Sequence, residues 1–229
     1  MKSNFGISNR FAFLLIASLL MAIVTAPSQN VFARNGDDAP NGGSLSKAER
    51  EYLVEYMKQT KKKFLGEISG LSEAQMKFKP SPFRWSISEV AEHLALSEDV
   101  LYSLVTQRVM KSPAQPHLKG ENGPRIKDRA IVMFLTNRAA QRLQAPDPVR
   151  PSRTVKFATL GDVLDRFEKS RARNIAYIET TKDDLRSHFS ANAIGLIDAY
   201  QWLVVLAAHT ERHTEQILEV KAHPNFPVK

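Results

Sequence analysis

Residues 198–220 read DAYQWLVVLAAHTERHTEQILEV. A helix beginning at Gly195 or Asp198 and running to Val220, short of Pro224, places Trp202, Val205, Leu206, His209, His213, Gln216, Ile217 and Val220 on one face. Such a stripe needs apolar partners, and three other segments offer them. Ser46-Lys47-Ala48-Glu49 is a capping box that opens a first helix, with Tyr52, Leu53, Tyr56, Met57, Phe64, Leu65 and Ile68 at helical spacing and Gly70 as its stop. A short connection, Leu71 to Pro82, leads to a second box, Ser86-Ile87-Ser88-Glu89. The helix it opens carries Ile87, Val90, Ala91, Leu94, Leu101, Leu104, Val105 and Val109. The third helix is Leu160 to Thr180, on Leu160, Val163, Leu164, Phe167, Ile175 and Ile178, followed by a polar link through Ser190. No alternating strand, repeat or second domain is evident, so the expected fold is all-α: a four-helix bundle with a long Pro-rich crossover.

That crossover, residues 113–156, holds six of the twelve prolines and nine Lys/Arg against three Asp/Glu. Ile126 to Leu143 can form a helix, yet the flanking prolines suggest an insertion across the surface rather than core. It reads as a solvated basic loop, or else as a lid or the rim of an anion site.

The N-terminus has the character of an export signal. Lys2 and Arg10 precede Phe11 to Val24, a 14-residue run in which only Ser18 is polar, and Val31-Phe32-Ala33 is a small-x-small cleavage site. The run is short for a membrane span, which takes about 20 apolar residues. The expected organisation is a signal peptide over 1–33, a polar spacer over 34–45, the bundle over 46–222 and a tail over 223–229. Cleavage lowers the formal charge from +8 to +6, and the excess then lies in the crossover. A basic chain raises the question of nucleic acid, but export argues against that partner, and no membrane span is expected after cleavage. The bundle is compatible with a homodimer. With no cysteine in the chain, disulfides, thiolate metal sites and a cysteine nucleophile are excluded.

Chemistry concentrates on histidine. His209 and His213 lie one turn apart on the same helical face, a spacing that lets both reach one metal ion. Thr210 follows His209, so the pair is not a zincin HExxH motif. His93, beside Leu94, also turns inward, from a different helix. Taken alone, an inward histidine is more often a hydrogen-bonded core residue than a ligand. His117, His188 and His223 fall in loops and read as solvated. Glu92, Glu98, Glu211 and Glu215 read as helix-surface charges, Trp85 and Trp202 as packing residues, and Arg212 and Gln216 as groups that orient their neighbours. Glu92 and Glu211 adjoin the histidines in sequence but point about 100° away from them, so no catalytic base is assigned.

The stretch Phe83-Arg84-Trp85-Ser86-Ile87-Ser88-Glu89-Val90-Ala91-Glu92-His93-Leu94, with Ala208-His209-Thr210-Glu211-Arg212-His213-Thr214-Glu215-Gln216-Ile217, resembles the DinB-like superfamily. That family opens its second helix with Trp-Ser…Glu…His-Leu and carries an HxxRHxxQI-type segment on its fourth. Leu71-Ser72-Glu73-Ala74-Gln75 is similar to its connection between helices one and two. The resemblance implies a four-helix bundle with a divalent metal on His93, His209 and His213, zinc or nickel ahead of iron or manganese. It also implies either metal-dependent hydrolysis of a small substrate or thiol-dependent S-transfer, with a non-catalytic metal- or ligand-binding bundle as the alternative. Export counts against S-transfer, because low-molecular-weight thiol cosubstrates are chiefly cytoplasmic. N-terminal sequencing of the exported form is expected to begin at Arg34; a mature chain starting at Pro27, or one retaining Met1, would contradict the cleavage site.

Overall fold

The computed structural model describes residues 44–119, 127–139, 144–151, 157–192 and 195–228. The expected signal peptide, most of the expected spacer and parts of the basic crossover (120–126, 140–143 and 152–156) lie outside the described residues. Four long helices form the body: α1 (Lys47–Ile68), α3 (Ile87–Gln107), α5 (Leu160–Thr180) and α6 (Ala199–Lys221). Two short ones are added, α2 (Glu73–Lys77) and α4 (Asp128–Thr136). No helix among the described residues is long and apolar enough to cross a membrane.

Each long helix starts where its side chains satisfy the orphan backbone N–H groups. Capping boxes pair Ser46 with Glu49, Ser86 with Glu89, Thr159 with Asp162 and Asp198 with Gln201. α1 stops where Gly70 takes a φ of 68°, a conformation that costs glycine nothing. The connection after it holds α2, whose own box joins Ser72 to Gln75.

Around the bundle, α1 lies beside α5 and α6, and α3 beside the same two. One apolar cluster holds Leu53 and Met57 of α1, Val105 of α3, Ile178 of α5 and Leu203 and Leu206 of α6. A second holds Phe64, Leu94, Phe167 and Ile217 from the same four helices. From first cluster to second, α1 and α6 run one way, and α3 and α5 run the other. Because α3 and α5 are parallel, the chain between them has to travel back along the bundle, about 30 Å for a 21-residue helix. The Pro-rich segment is therefore the crossover that this topology requires.

It is not confined to the surface. Ile131 and Leu135 of α4 are buried with Ile197, Val205 and Ala208 in a third apolar cluster. α4 is pinned at its start by Arg186, which donates to Asp128, Asp198 and Glu49 and stacks 3.8 Å from the Tyr200 ring. Burial opposes ionisation of Glu49, yet the Arg186 charge and the Ser46 hydrogen bonds hold its carboxyl below the ordinary range. The link before α6 contains a hairpin, β1 (Phe189–Asn192) and β2 (Gly195–Asp198), with Phe189 opposite Asp198. Four-residue strands are too short for alternation to register in the sequence.

Between the two main clusters lies a polar layer. Arg171 is fully buried; its Nε and Nη2 donate to Glu98, its Nη1 to Met57 O and Thr60 Oγ1, and its Nη2 also to Thr210 Oγ1. Asn174 Nδ2 adds 2.7 Å to Glu98 Oε2. Glu98 is thus not the surface charge the sequence suggests: it is 1% exposed and bound by Arg171 and Asn174. Arg171→Met strands a buried carboxylate and is expected to cost about 3–5 kcal/mol in denaturant unfolding. Adding Glu98→Gln should recover most of that loss, whereas a double variant as unstable as the single would mean that the packing of Arg171, not its charge, is what matters.

Candidate metal centre

The three histidines singled out by periodicity come together. His93 projects from the second turn of α3, and His209 and His213 from successive turns of α6. One nitrogen of each lies within 4.8 Å of the others. His93 and His213 are buried, and His209 is partly exposed. His93 Nε2 is 3.1 Å from His209 Nε2. The ring centroids stand 4.9 Å apart for His93 and His209, 4.6 Å for His93 and His213 and 4.4 Å for His209 and His213.

Hydrogen bonds on the far side fix two of the rings. His93 Nδ1 donates to Val149 O at 2.6 Å, and His213 Nδ1 donates to Gln216 Oε1 at 2.8 Å. Both therefore keep a lone pair on Nε2, the arrangement by which ligating imidazoles are oriented. Gln216 does orient its neighbour, as the sequence suggests. The Val149 carbonyl is invisible to sequence reasoning, since any residue could supply it; the surrounding Pro146, Pro148 and Pro151 are the only local sign of a fixed backbone.

The residues fit a divalent ion. Two nitrogens bonded to one ion at about 2.0–2.1 Å are separated by about 3 Å, and the His93–His209 distance matches. Two imidazole lone pairs at that separation repel unless a proton or a cation lies between them. His209 Nδ1 is buried without a hydrogen-bond partner. Burial holds all three rings below the ordinary histidine range, His209 and His213 well below it. The neighbouring imidazoles add to the effect at His209 and His213, as does Arg212 at His209. All three rings are therefore neutral at pH 7, the state a ligand requires.

The cluster opens on a cavity of about 1070 Å³. α4 packs on α6 and the turn Asp147–Val149 packs on α3, so the crossover walls the groove from both sides. Trp85 has a larger part than packing: its ring lies 4.9 Å from that of His93 and stacks at 22° on His213. Trp202 also lines the cavity and donates from Nε1 to Ser190 Oγ at 2.7 Å. Glu92 and Glu211 are not among its lining residues, and Glu211 instead accepts from Tyr56 Oη at 2.6 Å. Glu215 pairs with Lys63 at the surface. Outside the site, His117 is exposed, His223 packs near the Phe78 ring, and His188 is more than solvated, its Nδ1 donating to Ser112 O at 2.8 Å.

The chain is similar to known proteins. The uncharacterized protein YuaE of Bacillus subtilis (strain 168) is 24% identical over 156 residues, covering 68% of this chain and 88% of its own. The structure of YfiT from Bacillus subtilis, described as "a probable metal-dependent hydrolase with an unusual four-helix bundle topology", aligns with a TM-score of 0.48 at 15% identity, over 86% of this chain and 99% of YfiT. The DinB superfamily pattern matches residues 56–217, a span that takes in all three histidines. With most of its length matched, this chain belongs to the DinB superfamily.

Proposed function

We propose that the protein is an exported, divalent-metal-dependent hydrolase of a small substrate, with His93, His209 and His213 as the metal ligands. One observation carries this reading: three neutral imidazoles from two helices converge within 4.8 Å at the wall of a single cavity. When bound there, a divalent ion supplies Lewis acidity, the chemistry that makes water a nucleophile at neutral pH. The chain's own groups do the rest. Val149 O and Gln216 Oε1 hold the His93 and His213 rings in place, Trp85 covers the rings on one side, and the cavity admits the substrate beside them. Three protein ligands leave coordination positions open, the pattern of catalytic rather than structural sites. The apolar run Phe11 to Val24 and the Val31-Phe32-Ala33 site support export.

Elemental analysis of tag-free protein is expected to find close to one zinc or nickel per chain, and none in the triple variant His93→Ala, His209→Ala, His213→Ala. The metal-loaded parent should then hydrolyse members of a small-ester, amide and phosphoester panel that the variant leaves intact. No metal after reconstitution overturns the reading. Turnover only with an added thiol replaces hydrolysis by S-transfer. In His209→Ala, loss of metal with an unchanged circular-dichroism spectrum is expected; collapse of the helical signal would make the ion a structural staple instead.

The lowered histidine pKa values set a pH dependence. Unfolded-chain imidazoles take up protons near pH 6.5 that the folded rings refuse, so metal-free stability is full above that pH and falls as pH drops below it. Metal affinity should hold further into acid than for ordinary histidines. Between pH 7.5 and 6.0, three rings titrating at 6.5 would weaken binding about fifty-fold; a change of less than about fivefold is expected here, measured by competition with a chromophoric chelator.

A further inference from the structure

The cavity walls carry a charge imbalance that the histidines do not account for. Its described lining residues include four arginines, Arg84, Arg138, Arg150 and Arg212, and one carboxylate, Glu219; Arg150 pairs with Asp147 at 3.2 Å, and Glu219 is bound by Arg84 and Arg138. That carboxylate is held by a fork. Arg138 Nε donates to Oε1 at 2.6 Å and Nη2 to Oε2 at 2.8 Å, and Arg84 Nη2 adds a third bond to Oε2 at 3.0 Å. The two guanidiniums come from separate parts of the chain, Arg84 from the loop before α3 and Arg138 from just past α4, and they meet over the last turns of α6. The Arg138 side chain is only 18% exposed, so the walls fix its direction. Paired, parallel N–H groups of this kind match a carboxylate or phosphoryl group, whichever molecule presents it. Beside the fork the lining is apolar and aromatic, with Trp85, Trp202 and a 96% exposed Phe83.

We propose that this cavity takes a small organic anion, a carboxylate or phosphoryl group on an apolar body, that Arg138 and Arg84 recognise its charge, and that Glu219 fills their fork until the anion displaces it. Making that anion the substrate rests on the hydrolase reading; the anion site itself stands on the arginine geometry. Glu219 is then an internal competitor. Removing its charge while keeping its shape frees both guanidiniums for the ligand, and removing Arg138 takes away the bidentate contact.

The test is isothermal titration calorimetry of the purified protein with phenyl phosphate, benzoate and the uncharged benzyl alcohol, before and after dialysis against a chelator. Glu219→Gln is expected to bind the two anions about tenfold more tightly and Arg138→Gln about tenfold more weakly, the scale of one charge-assisted hydrogen bond. Benzyl alcohol should respond to neither substitution. Arg84→Gln, with a smaller loss, serves if Arg138→Gln melts early by circular dichroism. A preference for phenyl phosphate or for benzoate identifies the charged group and supports the site either way. Unchanged or weaker anion binding in Glu219→Gln, or benzyl alcohol binding as tightly as the anions, overturns the proposal. Anion binding that survives the chelator in a chain that takes up no metal overturns only the hydrolase reading. Metal uptake without anion binding overturns only this one.

Discussion

The buried pair of Arg171 and Glu98 is the constraint on which the rest of the bundle depends. A guanidinium with no solvent access tolerates no missing partner, and Arg171, on α5, finds its partners on the other three long helices, Met57 and Thr60, Glu98 and Thr210, while Asn174 donates to Glu98. Sliding any helix by a residue would leave a buried charge or donor unsatisfied, at several kcal/mol. Apolar contacts above and below are more forgiving, since Leu, Ile and Phe repack with small losses. The polar layer therefore sets the register and the apolar clusters supply the bulk of the stability. Thr210 adjoins His209 and Glu98 lies five residues after His93, so the same layer fixes where the imidazoles emerge.

Topology supplies the other half of the site. With α3 and α5 parallel, the chain has to return along the outside, and it does so across the groove between α3 and α6, where the histidines line the cavity. Val149 of that return segment orients His93, while Leu135 and Arg138 wall the cavity. Arg186 anchors the start of α4 through Asp128, which ties the cavity wall to the N-termini of α1 and α6. A crossover that looks like a decoration in the sequence is, in three dimensions, part of the candidate centre.

What the sequence discloses, and what it hides, follows from the range of each interaction. Capping boxes at Ser46 and Ser86 are local, and so are the boundaries they mark. His93, His209 and His213 could be placed because periodicity orients them and each helix is long. Glu98 reads as a surface charge although the sequence carries a contrary signal: it falls between Leu94 and Leu101 on the apolar stripe of α3, just as Arg171 falls between Phe167 and Ile175 on that of α5. Opposite charges at core positions of two helices are the mark of a buried pair. Ile131 and Leu135, four apart, likewise signal a buried face that the flanking prolines obscured. α6 shows a different limit. From Ala199 to Ala208 it is buried almost all round, because α1, α3, α4 and the hairpin cover it, and a helix covered on every side has no single stripe to read. The Val149 carbonyl and the short hairpin leave no side-chain trace at all.

The electrostatics of the cavity join its two halves. Arg212 lowers the basicity of His209, and Arg138 that of His213, each adding to burial and to the mutual effect of the rings. The cations thus keep the imidazole lone pairs free of protons, a condition for ligation, while giving the walls a positive field that favours an anion. Acidic walls would have done the opposite on both counts, raising histidine basicity and repelling an anion. Glu219 tempers the field without reversing it, since its charge is held between Arg138 and Arg84 and its carboxyl is kept below the ordinary range, first by the hydrogen bond from Arg138. With neutral nitrogen donors and separate guanidiniums on its walls, the cavity would hold the proposed cation and anion on different groups, so that neither would compete for the other's ligands.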